Sequence, residues 1–468
     1  MTRPLALSVF LACTAQTFAQ SQVLVKVNVA ATDSKGAAVT DLTAADFLIR
    51  EDGKPRPVVF FSARHPVAQP GPGEFVNRQS PPPTVILLDR WNETETTMAT
   101  AWQDVGTAVG RLETVDRVYI YFLANHGELV PVRPLPGVEA DLRAQEPPSA
   151  AALIAKLNDA VRSLSGLRDL ANIDPVVRAD STMQALNIVA RMGALAGPKY
   201  LIWVTHGFPI QFVSLTGQLM NYQGPLLGLA QTAARAGVAI YTVDQSAQGA
   251  GADVAGLARQ TLEFVAEQTG GRWYSSGRTA DALAGVATDT RASYRLAYFS
   301  PVRANAKASK IRIETTRKSI RLLTRAGSFG DATAPDPDEA AEDAFTRESH
   351  SPFEATEIPL RAAMSRKPVA IHLDIHVDAA DVFLDHRGDT YRGSLSVKFA
   401  LYRDGVFESA QPTIHQDLNL TQAQYDSALK NGIVVSRDVT VADQIQQVRA
   451  MVFDRGIQSL GSVTIPLQ

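Results

Sequence analysis

The spacing of apolar residues divides the chain into regions of different structure. Residues 23–30 and 47–61 alternate apolar and polar side chains, which predicts half-buried β-strands with an Asp-Gly hairpin at 52 and 53. From residue 84, continuous apolar runs alternate with amphipathic runs of helix length. After residue 294 the two-residue alternation returns. The pattern therefore predicts an α/β region enclosed by β segments.

The α/β region is predicted to cover residues 84–293. Its strands are expected at 84–90, 116–125, 128–133, 199–206, 238–244 and 271–275, and its helices at about 97–113, 149–166, 181–196, 224–236, 253–269 and 279–292. Strands that alternate with helices in this way predict a doubly wound sheet with helices on both of its faces.

The flanking regions predict further β structure and two linkers. Strands of residues 20–65 and 294–326 are expected to pack together, so that the α/β region is inserted in, or flanked by, a small β unit. Residues 66–83 are rich in Pro and Gly, and residues 327–366 are acidic without an apolar period, so both are predicted to be flexible linkers. Residues 367–468 predict a C-terminal β-sandwich-like domain.

Composition adds a location and excludes some partners. With 468 residues the chain is expected to hold two or three domains, and a net charge of −3 gives no electrostatic footprint for nucleic acid. Arg3, the apolar residues 5–12 and Thr17-Phe18-Ala19 predict a signal peptide over residues 1–19, and hence a secreted or periplasmic protein. The only cysteine, Cys13, lies in that peptide. No later stretch has the roughly 18 apolar residues of a transmembrane helix.

Candidate chemistry lies at the ends of two predicted strands. The apolar run 85–88 ends at Asp89, and the strand from Tyr200 ends in Thr205-His206-Gly207. The carboxyl ends of parallel strands meet at one edge of the sheet, and open α/β sheets bind ligands at that edge. Thr182, near the start of a predicted helix, is expected at the same edge.

These positions resemble a von Willebrand factor A domain, which has a Rossmann-like, doubly wound fold. In that family the first strand ends in D-x-S-x-S, a threonine opens a central helix, a later strand ends in D-G, and together these bind a divalent ion. Asp89 matches the first aspartate, Thr182 the threonine and Thr205-His206-Gly207 the last loop, with histidine in place of aspartate.

A wider resemblance covers roughly residues 22–327. The segment from Asp46 to Lys54 and the Tyr-x-Leu-x-Tyr strand at 294–298 are similar to those of the VWFA-related proteins of Acidobacteria. The resemblance implies secretion and the A-domain fold, and it implies no established biochemical activity.

The metal-binding pattern of the A domain is altered here. Trp91 and Glu93 occupy the two serine positions, and His206 is not a usual Mg²⁺ ligand. Imidazole together with carboxylates suits Zn²⁺, Mn²⁺ or Ni²⁺, so one hypothesis is a remodelled divalent-metal site of Asp89, Glu93, Thr182 and His206. The other is a degenerate site without metal, in which Asp89 caps the next turn or hydrogen-bonds to Thr182.

Two function classes follow. The first is a non-enzymatic adhesion module without catalytic residues or cofactor, which binds an unknown protein partner of the cell envelope or exterior. Its partner-binding residues are predicted in the loops after the first and fourth strands: Trp91, Asn92, Thr94, Phe208 and Phe212. The aromatic residues among them have an alternative interpretation, packing under loop 208–223.

The second function class is a metal-binding protein or metal-dependent hydrolase centred on the altered site. The sequence contains no G-x-S-x-G, H-E-x-x-H or Walker motif that would support an enzyme. In a third arrangement, the β domains bind the partner and the α/β region has a structural role.

Overall fold

The computed structural model describes residues 22–64, 70–77, 81–92, 95–136, 149–164, 173–245, 252–275, 278–301, 310–324, 336–368 and 370–467. The predicted signal peptide lies outside these ranges. Within them, no helix is both long enough and apolar enough to cross a membrane.

Five strands precede the α/β region: β1 (Gln22–Asp33), β2 (Phe47–Glu51), β3 (Lys54–Arg56), β4 (Phe60–Ala63) and β5 (Glu74–Val76). β2 and β3 form the predicted hairpin. Its turn residues Asp52 and Gly53 have φ of 48° and 79°, the left-handed values that an Asp-Gly turn between two strands requires.

The α/β region contains the six predicted strands, a short hairpin and seven helices with described bounds. These are β6 (Thr84–Asp89), α1 (Glu95–Gly110), β7 (Val118–Leu123), β8 (Leu129–Arg133), α2 (Ala150–Leu164), α3 (Pro175–Leu186), α4 (Ile188–Met192), β9 (Lys199–Thr205), β10 (Gln211–Val213), β11 (Leu219–Asn221), α5 (Gln223–Ala236), β12 (Val238–Asp244), α6 (Ala252–Thr269), β13 (Trp273–Tyr274) and α7 (Thr279–Arg291).

A six-stranded sheet forms the centre of this region. Its order is β13-β12-β9-β6-β7-β8, and every pair is parallel except β7–β8. Successive residues of a strand point to opposite faces. Accordingly, Val85 and Leu87 pack against α3 to α6, whereas Ile86 and Leu88 pack against α1, α2 and α7. The result is a mixed α/β unit of three layers.

The helix predicted at 181–196 begins earlier and is interrupted. The Asp174 side chain accepts a hydrogen bond from the N–H of Val176, and Pro175 occupies the first helical position, so α3 starts there. Asn187 separates α3 from α4. Thr182 therefore lies in the body of α3 rather than at its opening.

The strands on both sides of the α/β region share one sheet. After α7 come β14 (Ser293–Pro301), β15 (Ile311–Thr315) and β16 (Ile320–Thr324). β1 lies between β14 and β16, and β4 pairs with β14, while β15, β2 and β3 form a second sheet. The two sheets share a core in which the rings of Phe47 and Tyr294 are 5.4 Å apart.

The C-terminal domain is a two-sheet β structure with two helices: α8 (Pro337–Ser349), β17 (Leu360–Arg366), β18 (Ile371–Val377), β19 (Asp385–Arg387), β20 (Thr390–Arg403), β21 (Val406–Ala410), β22 (Ile414–Thr421), α9 (Gln422–Asn431), β23 (Ile433–Val439), β24 (Gln447–Asp454) and β25 (Ser459–Pro466). One sheet has the order β23-β18-β17-β5, and the other is built on β19, β20, β24 and β25. Apolar residues of both sheets form a shared core.

Parts of both predicted linkers are ordered elements. In the segment 66–83, β5 pairs with β17, and the Asn77 side chain bonds to the backbone of Ala355, Ile358 and Leu360. The segment 327–366 contains α8 and most of β17. The linker prediction is wrong at these places because long-range pairing and side-chain hydrogen bonds order segments whose composition is typical of loops.

Candidate functional site

The candidate site lies at the carboxyl edge of the central sheet, where β6 and β9 end side by side. Asp89 and Thr205 are the last residues of these two strands, and both side chains are fully buried. The parallel register of β6 and β9, in which Leu88 is opposite Val204, brings them together.

The Asp89 carboxylate accepts four hydrogen bonds from the protein. Oδ1 accepts the backbone N–H of Asn92 at 3.0 Å. Oδ2 accepts the Asn92 side-chain amide at 2.7 Å, the Thr205 hydroxyl at 2.7 Å and the Trp203 indole N–H at 3.2 Å. Burial raises the pKa of Asp89, and these hydrogen bonds oppose the rise. Both oxygens are thus held by donors of the chain itself.

Asn92 connects Asp89 to the central helix α3. Its Nδ2 donates to Thr182 Oγ1 at 2.8 Å as well as to Asp89, and Thr182 Oγ1 in turn donates to the Arg178 carbonyl at 2.8 Å. The Asn92 Oδ1 accepts from the Arg178 guanidinium at 3.3 Å. The Asn92 amide nitrogen therefore stands between Asp89 and Thr182, the two residues that the A-domain resemblance assigns to a cation.

Arg178 brings a positive charge to this network. Burial lowers the pKa of Arg178, and the negative charge of Asp89 acts in the opposite direction. A guanidinium keeps its proton at neutral pH, so it remains a cation that partly offsets the buried carboxylate. The sequence analysis missed Arg178, and no local signal marks it, because the contact joins residues 86 positions apart.

The arrangement around Asp89 fits a hydrogen-bond network better than a divalent ion. The Asn92 N–H₂ group donates and cannot coordinate a cation, so an ion bound by Asp89 and Thr182 would require Asn92 to rotate its amide oxygen toward the ion or to move away. Among the described residues, no three or more His, Cys, Asp or Glu side chains are grouped as metal ligands. Glu93 lies outside the described residues, and the metal hypothesis that includes it stays a prediction.

His206 lies in the turn after β9 and is half-buried. The turn is closed by the N–H of Gly207, which donates to Thr205 Oγ1 at 2.8 Å. Gly207 has φ of 71°, and a Cβ there would lie 3.0 Å from Leu262 on α6. The close approach of α6 thus explains the glycine, and Thr205 takes part both in this turn and in the network around Asp89.

The prediction of partner-binding residues in the loop after β6 is wrong for Trp91 and Asn92. The Trp91 side chain is only 1% exposed, packs in the core of the α/β unit and lies 5.2 Å from the His126 ring. Asn92 is buried because its backbone and its side chain both bond to Asp89, which draws the loop inward. Thr94 lies outside the described residues.

Phe208 and Phe212 pack as the alternative interpretation predicted. Phe208 is buried and meets the Tyr222 ring edge to face at 5.5 Å, and Phe212 stacks on the same ring at 5.6 Å. Tyr222 in turn donates its hydroxyl to Asp180 on α3 at 2.8 Å. These contacts therefore fix the loop after β9 onto the domain, and a partner-binding role of Phe208 and Phe212 stays a prediction.

The hairpin of β10 and β11 has an apolar outer face that the sequence analysis missed. Phe212 and its cross-strand partner Met220 pack inward, so the neighbouring pair, Val213 and Leu219, points outward. Val213, Leu215 and Leu219 are 61%, 74% and 71% exposed. The alternation at 210–213 and 219–222 around a Thr-Gly pair was the signal for this hairpin.

The turn that carries Leu215 is held by four hydrogen bonds. The Ser214 N–H donates to the Gln218 carbonyl at 2.8 Å, and the Gly217 N–H donates to the Ser214 carbonyl at 3.0 Å. The Ser214 hydroxyl also accepts the Gln218 N–H and bonds to the Thr216 hydroxyl. Residues 208–223 contain no charged side chain. The outer face is thus apolar, uncharged and fixed in shape.

Comparison with known proteins gives distant structural similarity only. No protein-family model matches the sequence, and no curated protein matches it. Among solved structures, the chain is similar to the pilus adhesin SpaC from Lactobacillus rhamnosus GG in its open conformation, with 10% identity and a TM-score of 0.29 over 90% of this chain and 56% of that chain. It is also similar to the human COPII-coat protein Sec24c, with 11% identity and a TM-score of 0.23 over 83% of this chain and 44% of that chain. The chain spans about half the length of these two structures, and similarity at this level does not establish a shared function.

Gly127→Ala is expected to destabilise the protein by about 2 kcal/mol. Gly127 has φ of 82°, and a Cβ there would lie 2.8 Å from the backbone oxygen of Ser181, next to Thr182. The new methyl group would push α3 away from the site. Urea denaturation measures the change, and Gly217→Ala is the control, because Gly217 has φ of 80° and open space around it. An equal cost in both variants would show that only the backbone conformation matters.

Proposed function

We propose that this protein is a non-enzymatic protein-binding module of the adhesion type, built on a von Willebrand factor A-like domain, and that it binds its partner without a bound metal ion. We expect it to act in the periplasm or outside the cell, because residues 1–19 have the pattern of a signal peptide. The observation that most directly supports a binding role is the apolar outer face of the hairpin 211–221.

The A-like assignment rests on the sheet and the site together. A mostly parallel strand order, with helices on both faces and one antiparallel edge strand, supports a doubly wound sheet. Asp89, Thr182 and Thr205, which fall in the order of the A-domain motifs, converge at its carboxyl edge. In this protein, hydrogen-bond donors of the chain already occupy the side-chain oxygens of these three residues. This supports the proposal that partner binding at this edge of the sheet does not depend on a metal ion.

The hairpin supports the binding role by its exposure and its rigidity. Val213, Leu215 and Leu219 form a cluster of exposed large apolar side chains, and such clusters are typical of interaction sites. The hydrogen-bonded turn fixes Leu215 before binding, so less conformational entropy is lost on association. With no charge in residues 208–223, this face fits an uncharged partner surface that has an apolar pocket for Leu215.

Replacement of the three exposed residues by serine, in the variant Val213→Ser/Leu215→Ser/Leu219→Ser, is expected to weaken partner binding at least about tenfold. A photo-cross-linking residue at the exposed position Gln218 of the full chain would first identify the partner in the native cell envelope. The affinity of the purified partner for each variant then measures the effect.

A matched control removes two exposed apolar side chains of the C-terminal domain, in the variant Leu429→Ser/Val434→Ser. We expect this control to bind like the wild type. If the control loses binding and the hairpin variant retains it, the partner site lies on the C-terminal β domain and the proposed role of the hairpin is wrong.

A further inference from the structure

A groove with a volume of about 540 Å³ lies beside β13, the edge strand of the central sheet. The C-terminal half of α6 forms one wall and α7 the other, while β13 and the two residues before it form the floor. Gly36, in the turn after β1, also lines the groove. The hairpin 211–221 takes no part in it, so this surface is separate from the proposed binding face.

The edge of β13 has backbone groups that no other strand uses. Among the described strands, β13 pairs only with β12, and the Thr242 N–H of β12 donates to the Arg272 carbonyl at 2.9 Å. The backbone groups of successive strand residues point to opposite sides, so the N–H and C=O of Trp273 point away from β12. Neither group bonds to another of the described residues. The floor of the groove therefore offers one donor and one acceptor to an additional strand.

The side chains beside this edge are small, which leaves room for a further chain. Ala266 on α6 and Ala284 on α7 both line the groove. A Cβ at Gly285 would overlap the Tyr274 hydroxyl, so the glycine lets this ring lie against α7. An extended chain points its side chains alternately to the two faces of the sheet, and the groove has space on both.

The charges that line the groove favour a basic occupant. Arg272 is neutralised by the buried carboxylate of Asp289, to which it donates two hydrogen bonds. Glu263 is neutralised by Arg259, with Nε and Oε1 2.8 Å apart. Glu267, one turn further along α6, is exposed and has no ion pair among the residues that the structure describes. One uncompensated negative charge thus remains, on the α6 wall.

We propose that this groove binds an extended peptide segment of a partner protein, which adds a strand beside β13 and places a lysine or arginine next to Glu267. Main-chain hydrogen bonds to Trp273 provide affinity, and the alternate side chains provide specificity. The edge from residue 271 to 275 is about 17 Å long, so about five residues of the peptide lie in the groove. A second copy cannot pair through its own β13, because that strand is recessed between the same two helices.

The test is a selection from a phage-displayed library of random heptapeptides on the full chain, with counter-selection on Ala284→Phe, whose ring would occupy the groove. We expect the enriched peptides to contain Lys or Arg. In fluorescence anisotropy, synthetic copies should bind the wild type at least about tenfold more tightly than Ala284→Phe. Ala287→Phe is the matched control and should bind like the wild type, since residue 287 is exposed on α7 outside the groove.

Two further measurements separate strand pairing and charge from simple contact. Methylation of single backbone nitrogens of a selected peptide should weaken binding at alternate positions, because only alternate residues bond to the edge of β13. Glu267→Lys should weaken binding about threefold, and a peptide with glutamate in place of its basic residue should restore it.

Two results would overturn the proposal. One is a selection that returns no peptide with a preference for the wild type over Ala284→Phe. The other is equal tolerance of methylation at every position of the peptide, which would mean binding without strand pairing. The hairpin variant Val213→Ser/Leu215→Ser/Leu219→Ser should bind the selected peptides like the wild type. Failure of the groove and failure of the hairpin are therefore distinguishable.

Discussion

Asp89→Ala is expected to lower the free energy of unfolding by about 4 kcal/mol. The substitution removes the acceptor of four hydrogen bonds in a fully buried place and leaves the donors of Asn92, Trp203 and Thr205 without it. Each buried donor that loses its acceptor costs roughly 1–3 kcal/mol, and partial relaxation reduces the sum. Urea denaturation of the full chain, followed by circular dichroism, measures the loss.

Asp89→Asn is the matched variant and should cost only about 1–2 kcal/mol. Asparagine keeps the shape of the side chain and removes a negative charge that burial disfavours, as the raised pKa of Asp89 indicates. Its amide N–H₂ group, however, would lie opposite one of the N–H or O–H groups that now donate to the carboxylate, and two donors cannot bond to each other. If Asp89→Asn were as damaging as Asp89→Ala, and a chelator lowered the stability of the wild type by the same amount, Asp89 would be a metal ligand.

Glu348 is expected to make the wild type about 3 kcal/mol less stable at pH 8 than at pH 4.5. This carboxyl group lies in the C-terminal domain, is almost fully buried, and has its Oε1 3.8 Å from the Arg449 guanidinium. Burial raises the pKa of Glu348 from 4.5 to about 7, although Arg449 and the hydrogen bonds from Ser462 and Ala355 oppose the rise. The folded state therefore binds more protons than the unfolded state between pH 4.5 and about 7, and stability falls as pH rises through that range.

Glu348→Gln should remove this part of the pH dependence, because an amide does not titrate. The measurement is the difference in unfolding free energy between variant and wild type across the same pH range, so that other titrating groups cancel. Glu339→Gln, on the exposed part of the same helix, should leave the dependence unchanged. A constant difference between Glu348→Gln and the wild type would show that Glu348 stays ionised throughout, held by Arg449.

The mixed α/β and β character of the chain could be predicted because it follows from apolar spacing. The run 85–88 is buried on both faces, and the alternating residues Tyr294, Leu296 and Tyr298 all pack into one core. The position of Asp89 at a strand end could also be predicted, since a charged residue directly after four apolar residues ends the apolar run.

The burial of the loop after β6 could not be predicted, because it depends on contacts between residues that are distant in the sequence. Trp91 follows a strand end, where an exposed loop is expected, yet Asp89 binds Asn92 and draws the loop inward against α3. The helix α8 was not predicted, for a different reason. Its acidic composition suggests a linker. The buried stripe that orders it has three apolar residues, Ala341, Ala344 and Phe345 at positions i, i+3 and i+4, and continues in the polar residues Glu348 and Ser349.

At the carboxyl edge of the central sheet, the protein's own donors occupy the oxygens of Asp89, and we propose that this edge needs no metal. The most direct measurement is the metal content of the purified full chain after dialysis with Mg²⁺, Mn²⁺ or Zn²⁺, determined by mass spectrometry. The proposed network predicts that none of the three ions remains bound in stoichiometric amount. One equivalent of metal in the wild type, absent from Asp89→Asn, would contradict it.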